Sequence, residues 1–97
     1  MEDKRRQEKH RVEVVYEGHV QGVGFRATVC SVAAGLDVTG YVRNRWDGTV
    51  EMVAEGEREE IEKLMAGVRL RMAGYIRDEK VSWSVARGEF SDFDVRY

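Results

Sequence analysis

The stretch Arg11-Val12-Glu13-Val14-Val15-Tyr16-Glu17-Gly18-His19-Val20-Gln21-Gly22-Val23-Gly24-Phe25-Arg26 changes its apolar period across a run of glycines. Before the glycines, Val12, Val14 and Tyr16 alternate with Arg11, Glu13 and Glu17. That period of two gives a strand one apolar and one polar face. Val15 is a mild breach. After the glycines, Phe25, Val29, Val32, Ala33 and Leu36 recur at the spacing of one helical face. Gly35 or Asp37 is expected to end this helix, since glycine, and less readily aspartate, accepts a left-handed cap. A strand, a glycine turn and an amphipathic helix form the first half of a split βαβ unit.

The second half follows downstream. Val38 to Arg45 reads as a strand, and Asp47-Gly48 suits a two-residue type I′ turn, which needs positive φ at both central positions. Thr49 to Glu55 is the return strand, with Val50, Met52 and Ala54 on one face. Gly56-Glu57-Arg58-Glu59-Glu60 opens a second helix, its acidic residues lying where the helix dipole favours anions. Ile61, Leu64, Met65, Val68 and Met72 form its apolar stripe, with Gly67 leaving its end open. Val81, Trp83 and Val85 alternate with Lys80, Ser82 and Ser84 as a fourth strand, and Phe93 to Tyr97 adds a short edge strand. Met1 to His10 is polar and without period, so residues 1–10 are expected to be a loose N-terminal arm and 11–97 the domain. The order is βαββαβ with a tail. It specifies an α+β, ferredoxin-like sandwich: an antiparallel sheet of four or five strands with two helices on one face.

Composition narrows the function classes. A chain of 97 residues makes one domain. One cysteine and two histidines, His10 and His19, exclude an internal disulfide and a Cys/His structural zinc. The polar opening is not followed by the apolar run of a signal peptide, and no stretch has the length of a membrane span. A soluble, cytoplasmic protein is expected, with no membrane association. The net charge of −2 argues against a general nucleic-acid binder.

Three features suggest chemistry. Consecutive N–H groups of a glycine loop before a helix can converge on an anion, although such loops often only reverse the chain. Arg26 lies in the first helical turn, where a cation opposes the dipole at a cost of a few tenths to about 1 kcal/mol. Two adjacent positive features make structural sense when an anion joins them; the alternative is a solvated surface arginine. Asn44 continues the face of Val38, Gly40 and Val42, although asparagine is depleted in strands. There it either borders a cleft or satisfies nearby backbone. Cys30 reads as a structural thiol, since a reactive thiolate needs the field of the anion loop. The phosphate-loop lysine signature and recognisable nucleophile arrangements do not occur.

Gly18-His19-Val20-Gln21-Gly22-Val23-Gly24-Phe25-Arg26 resembles the first signature of the acylphosphatases. Gly40-Tyr41-Val42-Arg43-Asn44, with Asp47-Gly48-Thr49-Val50-Glu51 and Gly56, is similar to their second. The resemblance runs from about Arg11 to Tyr97. It implies a ferredoxin-like hydrolase that splits acyl phosphates, such as acetyl or carbamoyl phosphate, into a carboxylate and inorganic phosphate, without metal or other cofactor. By the same resemblance, Arg26 and the loop residues His19, Val20, Gln21, Gly22, Val23 and Gly24 bind the phosphoryl group, and Asn44 holds the attacking water. The implied partners are a small-molecule substrate and inorganic phosphate, as product and competitive inhibitor; a monomer that binds no nucleic acid is expected. The alternative is a non-catalytic ferredoxin-like module that binds an anion or RNA, with Tyr41 as its strand aromatic.

Overall fold

Val12, Val14 and Tyr16, all without exposed surface, form the buried face of strand β1 (Lys9–Gly18). The structure, a computed structural model, describes residues 8–97. The expected arm therefore lies outside the described residues over 1–7. Lys9 and His10 are not part of an arm. Lys9 pairs with Glu57, and His10 has ladder partners on both sides, Gly56 and Val85. Polar residues carry no apolar period, so their pairing leaves no mark in the pattern.

Helix α1 (Phe25–Ala34), strands β2 (Val38–Asn44) and β3 (Val50–Glu57), helix α2 (Arg58–Arg71) and strands β4 (Ile76–Val85) and β5 (Phe93–Arg96) complete the expected order. The sheet order is β4-β1-β3-β2-β5. One detail is corrected: the sheet is mixed. β1 pairs antiparallel with β3 and β4, and β2 with β3, but β5 runs parallel to β2, with Val95 opposite Val42. The chain leaves β4 at the end of the sheet where β2 begins. It then crosses to the far edge and enters alongside β2 in the same direction.

Both helices cover the face that carries Val12, Val14, Val42, Val50, Met52 and Ala54, closing one core with Val29, Ile61, Leu64 and Val68. α2 runs on through Gly67, where α1 passes so close that a Cβ would lie 2.7 Å from Val32 Cγ1. No helix among the described residues is long and apolar enough to cross a membrane.

The hairpin between β2 and β3 differs from the expected type I′ turn. Asp47 does not have positive φ; only Gly48 does, at 89°. Arg45 N–H donates to Thr49 O at 2.9 Å, and Gly48 N–H donates back to Arg45 O at 3.2 Å. This is a three-residue loop with glycine at its left-handed position. Asp47 is used as an acceptor, taking hydrogen bonds from Thr49 N (3.1 Å) and Thr49 Oγ1 (2.6 Å).

The other face of the sheet is partly covered by the crossing segment. Arg11 and Glu55, opposite each other on β1 and β3, are 5% and 4% exposed. Arg11 Nη1 donates to Glu55 Oε2 at 2.8 Å, and the Arg87 and Gly88 amides donate to the same carboxylate at 3.0 Å each. Burial pushes the Glu55 carboxyl up, but the Arg87 amide, the Arg11 guanidinium and the Gly88 amide together hold it below its ordinary value. A depressed carboxyl contributes stability above its unfolded pKa, and that contribution drains away as pH falls through the lower folded value. Glu55→Ala is expected to destabilise the protein by about 3 kcal/mol, leaving the buried guanidinium only its longer contacts to Glu13 (3.6 Å) and Glu89 (3.9 Å). Its denaturant midpoint should also lose part of the wild-type fall in acid. A variant as stable as wild type at neutral pH would contradict this.

Candidate active site

The loop from β1 to α1 is pinned at two apolar points. Val20 is 1% exposed and Phe25 2%. The Phe25 ring lies 4.9 Å from that of Tyr16, which ties the first residue of α1 to β1. Between these anchors Gly22 and Gly24 take φ of 79° and 78°, the left-handed region that glycine enters without a Cβ penalty. Gly24 precedes α1 and caps it from its carbonyl, which accepts from Thr28 N (3.0 Å) and Thr28 Oγ1 (2.9 Å). Among the described residues, no N–H from Val20 to Gly24 donates to a protein acceptor. Those donors join the free N–H groups of the first helical turn, where no acidic residue offsets the dipole.

Arg26 is the second residue of α1, and Asn44 the last of β2. The two border one cleft of about 230 Å³, with Gly22 and Gly24 as its backbone side. Val20, Phe25 and Ala27 supply apolar wall from the loop and helix; Val95 and Tyr97 supply it from the tail. The Arg26 guanidinium stands over the Tyr97 ring, 5.3 Å from its centroid, in cation–π range. Among the described residues it has no carboxylate partner. Asn44 is half-buried opposite Val50, and its Oδ1 is buried without a hydrogen-bond partner. An unpartnered buried amide oxygen costs about 1–3 kcal/mol, a cost relieved when a donor enters the cleft.

Other loop residues have different placements. His19 does not border the cleft: its N–H donates to Tyr75 O at 2.9 Å and its ring lies 6.4 Å from that of Tyr75. Val23 packs against the core. The Gln21 side chain reaches away from the cleft to the hairpin. Cys30 is half-buried on the core side of α1, where burial and then Asp94 push its thiol up, away from a reactive thiolate. Tyr41 is unavailable as a base-stacking platform. Its hydroxyl donates to Glu51 at 2.6 Å, Arg96 stands 4.1 Å over its ring and Phe90 packs edge-on at 5.8 Å.

Sequence reasoning did not identify Val95 and Tyr97 as cleft residues. The available signal was their alternation, which continues the line of Val42 and Asn44 once β5 is laid parallel to β2.

Comparison with known proteins gives the family. The acylphosphatase family model matches residues 12–95. An acylphosphatase of Pelotomaculum thermopropionicum is 44% identical over 88 residues, covering 90% of this chain and 96% of that protein. The crystal structure of acylphosphatase from Bacillus subtilis superposes with a TM-score of 0.82 at 29% identity, covering 91% of this chain and 99% of that one. The structure of an acylphosphatase from Coxiella burnetii gives a TM-score of 0.71 at 34% identity, covering 93% and 95%. With both signatures present, the family match nearly end to end and the glycine loop facing Asn44 across one cleft, this chain belongs to the acylphosphatase family and is an enzyme that hydrolyses acyl phosphates.

Proposed function

We propose that Arg26 and Asn44 divide the chemistry of acyl phosphate hydrolysis between them. Arg26 and the loop amides hold the phosphoryl group, the guanidinium fork matching two phosphate oxygens and never losing its charge. Asn44 holds a water through its carboxamide, in line with the bond to be broken. The water oxygen attacks phosphorus, and the bond from phosphorus to the acyl oxygen breaks. The carboxylate leaves with the electron pair, and the proton of the water passes to a phosphoryl oxygen. A carboxylate whose conjugate acid has a pKa of about 4 needs no general acid to leave. Phosphoryl transfer of this kind depends on positioning and on neutralising the equatorial oxygens. That suits a cleft in which, among the described residues, no histidine, aspartate or glutamate side chain takes part.

The observation that carries this reading is the shared cleft of Arg26, Asn44, Gly22 and Gly24. Val20 belongs with the loop amides. His19 has its N–H committed to Tyr75, so it is left out of the phosphate contacts. The chain acts as a cytoplasmic monomer on a small-molecule acyl phosphate, needs no metal and does not bind nucleic acid.

Arg26→Ala and Asn44→Ala are each expected to lower benzoyl phosphate turnover by about 10²–10³, the usual cost of one preorganised donor, with circular dichroism unchanged. Full activity in either variant would overturn the assignment. EDTA should leave the rate untouched, and strong inhibition by it would contradict the metal-free chemistry. Inorganic phosphate should raise the apparent KM without changing kcat, because it occupies the same loop; a fall in kcat would place it elsewhere.

A further inference from the structure

Arg26 comes from the start of α1 and Asn44 from the end of β2. Among the described residues, no main-chain hydrogen bond ties the glycine loop to that strand end. One side chain does. Gln21, in the middle of the loop, sends its Nε2 to the β2–β3 hairpin, where it donates to Arg45 O at 2.7 Å and to Thr49 O at 2.9 Å. These carbonyls flank the neck of the hairpin, one step beyond the pair formed by Asn44 and Val50. We infer that Gln21 is a positioning residue: its carboxamide sets the distance between the phosphate loop and Asn44, so that the water on Asn44 meets phosphorus in line. The inference rests on the catalytic roles proposed above for Arg26 and Asn44.

The chemistry of the contact specifies the side chain. Both donors of one amide nitrogen face carbonyl oxygens, so only the NH₂ end of the carboxamide fits there. A carboxylate would set negative oxygen against two carbonyls, and asparagine is a methylene shorter. Gln21 does not hold the hairpin together. Arg45 O also accepts from Gly48 N, and Thr49 O also accepts from Arg45 N. Each carbonyl therefore keeps a main-chain partner when Gln21 is removed. What disappears is the docking of one half of the site on the other.

Gln21→Met keeps the length and removes the donors. Misplacement by about 1 Å costs on the order of 10² in rate, so kcat for benzoyl phosphate is expected to fall by about 10- to 100-fold. The inhibition constant of inorganic phosphate should hold, because Arg26 and the loop amides are untouched. In an Asn44→Ala background the same substitution should cost nothing further, since no water remains to be aimed; the double-mutant cycle reads this coupling directly.

Gln21→Glu is a second, independent variant. Its kcat at saturating substrate should recover relative to wild type as pH falls and the carboxyl regains a proton to donate. Wild-type kcat in Gln21→Met beside a disabled Asn44→Ala overturns this inference alone. So does a cost that multiplies with that of Asn44→Ala, or a loss of phosphate affinity in step with kcat. Full activity in the single Asn44→Ala variant overturns the catalytic reading, and this inference with it.

Discussion

A guanidinium in the first turn of a helix stands against the positive end of the dipole, and here no acidic residue of that turn relieves it. Beside Arg26 lie the N–H groups of Val20 to Gly24, without protein acceptors among the described residues. Each feature alone is mildly unfavourable. In the reaction proposed for this cleft, a phosphate dianion converts both to attraction, and the apolar walls from Val20, Phe25 and Val95 strengthen the effect. The loop holds this arrangement before any ligand arrives because Val20 and Phe25 are buried anchors and the glycines between them accept left-handed φ. Such a site needs little reorganisation at the moment of reaction, which is the source of electrostatic catalysis.

The sheet supplies the other half of the site. Asn44 faces the cleft because β2 is in register with β3, so that Val38, Gly40, Val42 and Asn44 share the helix side. The parallel pairing of β5 with β2 then brings Val95 and Tyr97 to the same wall. On the opposite face, Arg11, Glu55 and the amides of Arg87 and Gly88 fasten the segment that delivers β5 to that edge. The buried ion pair is remote from the chemistry, yet it secures the path of the chain that builds one side of the cleft.

Much of this was legible in the residues. The change from alternating Val12, Val14 and Tyr16 to helical spacing from Phe25 located the first half of the fold, since apolar periodicity records burial. Arg26 and Asn44, the residues to which catalysis is assigned in the proposed function, are conspicuous in the sequence because each violates a local preference. Other features left no local trace. The direction of β5 depends on where the crossing segment re-enters the sheet, a property of the whole chain. Asp47-Gly48 suits a two-residue turn, but the folded hairpin has a three-residue loop in which the Asp47 carboxylate accepts from Thr49. His19 and Gln21 sat within a matching signature, yet their contacts with Tyr75, Arg45 and Thr49 are long-range and follow only from the folded geometry.

The most direct test of the anion site is a titration of the isotope-labelled protein with inorganic phosphate, followed by amide and guanidinium nitrogen resonances. If the loop and Arg26 form one dianion site, the Gly22 and Gly24 amides and Arg26 Nε move together along one saturating curve. Their shifts vanish in Arg26→Ala. Phosphate that instead shifts resonances around Arg43 or Arg58, leaving the glycine loop unmoved, would contradict the account.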